Sequence, residues 1–353
     1  MIADVKKAKI AIYGAGAMGT VLGALLTLGG LENVHLITRN VSHVESMKNK
    51  GATLICEAEN TTLVSKVQAL LPTEMQGKYD VVFLMTKQRE NEKILQGLLP
   101  FLHEDSIVCT TQNGLPERSV ENVVGQNRTF GGVASYGATF IGEGKVALTS
   151  KFQGMRMQVA PVVENVEKTA FLQAVLEHAG KPIDNPQFSQ ITDNLQGARW
   201  SKLAINAAFS GLSVVTGLTF GEIAKNMKTR KIALGILREC MSVANASGVT
   251  LEPMQGHDMQ KLLGGGGFFK TAFSLFALPI AMRRHKKLVS SMLRDIQNGK
   301  KCEIDYIDGV VVHRAKETGA LAPLCERVVE ITHGIENGLY EITVANADFF
   351  NEK

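Results

Sequence analysis

The stretch Ile10-Ala-Ile-Tyr-Gly-Ala-Gly-Ala-Met-Gly19 joins a short apolar run to a run of small residues with helical spacing, Ala17 to Leu28. A strand, a GxGxxG turn and a helix in that order suit a dinucleotide. Gly14 permits the tight turn, Gly16 keeps the backbone bare where a Cβ would collide with the pyrophosphate, and Gly19 lets the helix lie close on the strand. The first helical turn, with Ala15, Ala17 and Met18 around these glycines, offers N–H groups and the positive dipole end to phosphate.

Working outward, Val34–Thr38 reads as the second strand. NAD-binding chains carry a carboxylate at its end for the ribose hydroxyls. Here Leu36-Ile-Thr-Arg-Asn40 offers Arg39 and no carboxylate. A guanidinium suits a 2′-phosphate, so NADP is the expected cofactor; an ordinary surface arginine is the other reading. Asp80–Met85 and Ser106–Thr110 are continuous apolar runs of the kind buried on both faces of a parallel sheet. Ala138–Leu148 has hairpin character, with Gly142-Glu143-Gly144 at its turn.

The texture changes after the polar, proline-containing stretch Lys181–Gln190. Beyond it Asn194–Val215, Thr229–Ser247, Lys287–Asn298 and Ile304–Thr318 all have helical periods. The expected fold is therefore α/β. A Rossmann-type parallel-sheet domain over 1–190 precedes an all-helical domain over 191–353. The chain's 353 residues and 45% hydrophobic content are enough for two cores.

Composition narrows the functional classes. A net charge of +4 spread over the chain does not suggest nucleic acid, though it suits an anionic small substrate. The five cysteines are widely spaced with no CxxC, as expected in a reducing compartment. The eight histidines lack HxxxH spacing, so no metal site is expected. MIADVKKAKI has no apolar signal core and no run reaches spanning length, which places the chain in the cytoplasm. One segment stands apart: Gly264–Gly267 precede Phe268–Met282, almost wholly apolar, and then Arg283-Arg-His-Lys-Lys287. A helix packed on its own domain or on a second copy in a homodimer is the expectation; a membrane-surface helix and a lid are alternatives.

Trp200-Ser-Lys-Leu-Ala-Ile-Asn206 begins a strongly helical stretch. Lys202 and Asn206, four apart, share a face, and Ser210 lies near the same stripe. Polar groups on a largely buried helix need partners. A structural ion pair would supply them; so would an active site in which the ammonium protonates a carbonyl undergoing reduction.

With these blocks in view, the chain resembles the ketopantoate reductase (2-dehydropantoate 2-reductase) family along nearly its whole length. The resemblance rests on the glycine turn, Thr86-Lys87, Gln112-Asn113-Gly114, Trp200-x-Lys202-x3-Asn206, Ser290-Ser-Met-Leu-Arg-Asp-Ile296 and Glu303-Ile-Asp-Tyr-Ile-Asp-Gly309. It implies an NADPH-dependent reduction of a 2-oxo acid, 2-dehydropantoate to pantoate in pantothenate biosynthesis, in a cleft between a Rossmann domain and a helical one. It implies Lys202 as general acid and Glu303 as the carboxylate that interacts with that lysine and the substrate. Asn113 matches the residue at the cofactor–substrate junction and Lys87 a lysine near the cofactor. Asn206 and Ser291 match substrate-binding positions; Ser291 read locally could also be a helix N-cap. Ser210 stands where the family has a second substrate-binding asparagine, and Gly211 where it has proline. The chain is also longer around Phe268–Lys287 and after Thr332. These departures, all on the substrate side, admit a related dehydrogenase of another 2-oxo acid or imine. A non-catalytic NADPH-sensing protein is the third alternative.

Overall fold

The computed structural model describes residues 4–253 and 258–350, apart from the side chains of Arg284 and His285. Met1–Ala3, the start of the N-terminal segment considered above, lie outside the described residues. The chain divides into two compact units. The first runs to Gln112 and resumes over Pro116–Leu195; the second comprises Asn113–Leu115 and the chain from Gln196 onward.

The first unit is built on β1 (Ile10–Tyr13), β2 (Val34–Ile37), β3 (Ala52–Cys56), β4 (Thr61–Ser65), β5 (Gln68–Leu70), β6 (Tyr79–Leu84), β7 (Leu102–Thr110), β8 (Thr129–Ala134), β9 (Ala138–Gly142), β10 (Lys145–Leu148), β11 (Met157–Pro161) and β12 (Ser189–Ile191). Eight of them form one sheet in the order β12-β11-β8-β7-β6-β1-β2-β5. It is parallel from β5 to β8, and only the β11–β8 pair is antiparallel. Side chains alternate between its faces. Ile10, Ile12, Val81 and Phe83 point to the side packed by α1 (Ala17–Leu28); Ala11, Val82, Leu84 and Val108 point to the other. There α3 (Asn91–Leu98) contributes Leu95 and α4 (Glu117–Val124) contributes Val120; α2 (Val41–Lys50) and α5 (Val166–Gly180) complete the unit. The direction of strand succession reverses at β1, whose neighbours are β2 and β6; such switch points are where open α/β sheets bind ligands.

A second sheet, β4-β3-β10-β9, holds the expected hairpin, with β9 and β10 antiparallel. Its other two strands were not anticipated: Thr61–Ser65 is short and mostly polar or half-exposed.

The second unit is helical: α6 (Leu195–Ile205), a π-helical segment Asn206–Gly211, α7 (Leu212–Thr216), α8 (Phe220–Lys225), α9 (Met227–Ala246), α10 (Met259–Leu263), α11 (Phe268–Ala281), α12 (Ser291–Gln297), α13 (Ile304–Thr318) and α14 (Pro323–Glu336). Helix α9 is the hub, touching α8, α11, α13, α14 and the π segment. Trp200, Phe209, Phe220, Leu237 and Val311 fill the core. Two expected helices differ in detail. Asn194–Val215 is interrupted by the π segment, and the helix expected from Lys287 begins only at Ser291. All five cysteines are buried as free thiols.

Candidate active site

The glycine turn closes at the carboxyl end of β1. Gly14 has φ +108°, a left-handed value, and a Cβ there would lie 2.6 Å from the Met85 carbonyl carbon and the Thr86 nitrogen. The turn is thus pressed against the chain leaving β6, and only glycine fits. A Cβ on Gly19 would meet the Gly14 carbonyl oxygen at 2.5 Å, so this glycine lets α1 descend onto the turn. A Cβ on Gly16 meets nothing within 4 Å. Its glycine character is not required by protein neighbours, and the open space lies at the N-cap of α1, where a pyrophosphate would pass. Ala15, Ala17 and Met18 complete the turn and the first helical turn, and Ala15 N–H donates to the Ile37 carbonyl at 2.9 Å. The donor set and the bare glycine fit a dinucleotide.

Behind the turn lies a relay not foreseen from the sequence. Gly144 N–H donates to His43 Nδ1 at 2.8 Å, so Nε2 carries the ring proton and faces Thr20 Oγ1 at 3.1 Å. The Thr20 hydroxyl in turn donates to the Ala15 carbonyl at 3.4 Å. Burial holds His43 below the usual histidine pKa, which keeps the ring neutral and the relay intact.

At the end of β2, Asn40 is spent on capping α2, accepting from His43 N–H at 3.1 Å. Arg39 is 77% exposed and pairs with Glu90 at 2.8 Å. An exposed pair of this kind contributes little and is easily opened.

Two loops leave the carboxyl ends of β6 and β7. Lys87 is exposed after β6; Asn113 is half-buried after β7, beside Gly114 in a left-handed conformation. Gln112 locks the first loop. Its amide donates to the Thr86 carbonyl at 2.8 Å and to Asn91 Oδ1 at 2.7 Å, while its oxygen accepts from Thr110 Oγ1 at 3.0 Å. Gln112 lay inside the quoted Gln112-Asn113-Gly114 block without being assigned a role.

In the helical unit, Lys202, Asn206 and Ser210 are partly accessible, whereas Leu203, Ala204, Ala207, Ala208 and Phe209 are buried. The π segment matters here. In an α-helix each step of four residues overshoots a full turn by roughly 40°. A turn closed by i→i+5 bonds is wider, so the second step falls back and Ser210 returns toward the Lys202 side. Desolvation, with the nearby buried Arg199 guanidinium, brings the Lys202 ammonium down to about 8. Glu303 occupies the N-cap position of α13 and is half-buried. Ser291 is exposed at the first position of α12; the cap is its neighbour Ser290, whose hydroxyl accepts from Met292 N–H at 3.1 Å.

Two family models match this architecture. One, described as ketopantoate reductase PanE/ApbA, covers residues 10–161; the other, for the C terminal part of the same proteins, covers 194–336. The chain belongs to the ketopantoate reductase family. It is an oxidoreductase with an NAD(P)-binding Rossmann-type fold in its first unit. A 2-dehydropantoate 2-reductase of Lactococcus lactis is 27% identical over 93% of this chain and 98% of its own. Among solved structures, a PanE/ApbA family ketopantoate reductase from Ralstonia eutropha is 26% identical, covering 94% of this chain and 99% of its own with a TM-score of 0.75. A D-mandelate dehydrogenase, solved with NADH and anilino(oxo)acetate, shares the fold at 24% identity, with the same coverage and a TM-score of 0.78. Among the described residues no helix is long and apolar enough to cross a membrane, and no group of three or more His, Cys, Asp or Glu is arranged to hold a metal.

Proposed function

We propose that this protein reduces a 2-oxo acid of the 2-dehydropantoate type, using NADPH, with Lys202 as the proton donor. The observation that carries the reading is the accessible stripe Lys202–Asn206–Ser210 on an otherwise buried helix, with the ammonium brought to about 8. A group with that affinity is charged at neutral pH and yields its proton readily, which is what a general acid needs. When bound, the reduced nicotinamide supplies the hydride. Gly14, Gly16 and Gly19, with Ala15, Ala17 and Met18, would hold its pyrophosphate, and Arg39, once released from Glu90, would hold the 2′-phosphate. Lys87 and Asn113 would contact the bound cofactor. Lys202 Nζ donates to the substrate oxygen as the alcohol forms, and Glu303 keeps the ammonium oriented and charged. Asn206, Ser210 and Ser291 bind the substrate's polar groups. The relatives' activity on 2-dehydropantoate supports this choice of substrate.

A second reading changes only the substrate. Ser210 provides a hydroxyl and no carboxamide within the stripe, which leaves more room and one fewer donor for the acid's side chain. An aryl-substituted 2-oxo acid, as in the mandelate dehydrogenase complex, is the case to compare. The test is NADPH oxidation with 2-dehydropantoate against phenyl-substituted and small aliphatic 2-oxo acids. Turnover of 2-dehydropantoate with the highest kcat/KM is expected. Robust turnover of another acid alone would replace the substrate, and cofactor binding without turnover of any acid would overturn the enzyme reading.

A further inference from the structure

Helix α11 has an inner and an outer face. The inner face is anchored: Ser274 is buried and donates to the Leu262 carbonyl at 3.1 Å, Arg238 donates to Thr271 Oγ1 at 3.1 Å, and Leu278 is buried in the helical core. The outer face carries Phe269, Phe273, Phe276 and Ile280, spaced four, three and four apart and therefore in one stripe. All four are exposed, Phe269 at 87% and Phe276 at 70%. Of the packings expected from the sequence, contact with its own domain accounts for the inner face alone. Three aromatic side chains held outward on one well-anchored helix mark a surface that something else covers.

Charge identifies the occupant. Between Asp258 and Asp295 the chain contains no aspartate or glutamate. Lys270 flanks the stripe, and Arg283, Lys286 and Lys287 follow its C-terminal end; all four are exposed. A symmetric contact with a second copy through this stripe would bring two cationic clusters together with no carboxylate of the segment to offset them. An anionic lipid surface meets both requirements, apolar depth for the phenyl rings and phosphate for the cations.

We propose that α11 is a membrane-surface anchor: the Phe269–Phe273–Phe276–Ile280 stripe enters the headgroup–acyl boundary of an anionic bilayer, and Lys270, Arg283, Lys286 and Lys287 lie against lipid phosphates. The helix lies in the interface and does not span it, since its 14 residues are too few. This inference is independent of the substrate and of the cofactor.

The experiment is co-sedimentation of the full-length protein with phosphatidylcholine vesicles, with and without phosphatidylglycerol. Binding is expected with phosphatidylglycerol, weakened at least about tenfold on phosphatidylcholine alone or by raising salt. The triple variant Phe269→Ser, Phe273→Ser, Phe276→Ser is expected to abolish it, and Lys286→Glu with Lys287→Glu to weaken it. Absence of binding to the anionic vesicles overturns the proposal, as does binding unchanged in both variants. A second copy is the occupant instead if the wild type is a dimer that ignores vesicles and the triple variant is a monomer. Should the variants unfold, a photolabel carried in the acyl chains decides with the wild type: labelling within 268–281 supports the anchor, and labelling elsewhere overturns it.

Discussion

The Asp308 carboxyl is packed against the α-carbon of Gly211: a Cβ on that glycine would lie 2.7 Å from Asp308 Oδ2 and 2.8 Å from Val328 Cγ1. Both Asp308 oxygens are buried without a hydrogen-bond partner, and burial, with Glu239 nearby, raises the carboxyl well above the usual range. Gly211 closes the π segment that brings Ser210 toward the Lys202 side, so this contact bears on stability and, in the proposed reaction, on substrate geometry. Gly211→Ala is expected to destabilise by about 1–3 kcal/mol through overpacking and to raise KM for the oxo acid. Urea unfolding and steady-state kinetics measure the two effects.

Asp308 also predicts a pH dependence. The unfolded chain releases this proton near 3.9, whereas the folded chain retains it to higher pH. The folded state therefore binds more protons across that window, and its stability declines as pH rises. Asp308→Asn removes the ionisation. The variant is expected to gain on the wild type at pH 8 and to lose that advantage as pH approaches 4, in paired denaturation curves. An advantage that does not vary with pH would mean the carboxyl is ionised in the fold.

As the proposed proton donor, Lys202 is expected to set the pH profile of turnover. With the ammonium at about 8, kcat/KM for reduction is expected to fall as pH rises through that value, and alcohol oxidation to rise. Arg199→Gln removes the cationic neighbour and is expected to move the limb upward. Lys202→Ala is expected to lower kcat by about 10²–10⁴-fold with cofactor affinity little changed, checked by stopped-flow and cofactor titration.

Arg39 is expected to choose the cofactor. Arg39→Ala should lower kcat/KM for NADPH by about ten- to a hundredfold, the range of a charge-assisted hydrogen bond, and leave NADH use nearly unchanged. Glu90→Gln removes the competing carboxylate and should improve NADPH use. Equal effects on the two cofactors would exclude a 2′-phosphate contact.

His43 is expected to limit acid stability. Its pKa is lowered in the fold, so below about 6.5 the unfolded chain takes up the proton first. The contribution is complete above that pH and is lost as pH falls toward the folded value. Protonation also removes the acceptor for Gly144 N–H. Denaturation midpoints at pH 5.5 and 7.5 should differ more in the wild type than in His43→Gln.

What could be read in advance was local. The glycine turn declared itself because the strand, the three glycines and the helix are contiguous. That Lys202 and Asn206 share a face followed from a spacing of four in one helix. Spacing put Ser210 near the same stripe, but the π segment that returns it toward Lys202 is not signalled by residue type. The Gln112 clamp reaches Thr86 and Asn91 across 26 and 21 residues, a pairing that strand register creates and residue type alone does not signal. Ser291 could be read as a helix N-cap, but the backbone gives that place to its neighbour Ser290.

The burial of all five thiols has a practical consequence. Burial raises Cys56 and Cys302 above the ordinary thiol range, and the contact with Cys240, with burial, raises Cys325, so little thiolate forms in the native chain. Alkylating reagents then report opening events rather than surface chemistry. Cys56 and Cys109 lie in the first unit and Cys240, Cys302 and Cys325 in the second. The order in which they are modified becomes a clock that times the two units separately, without any engineered label.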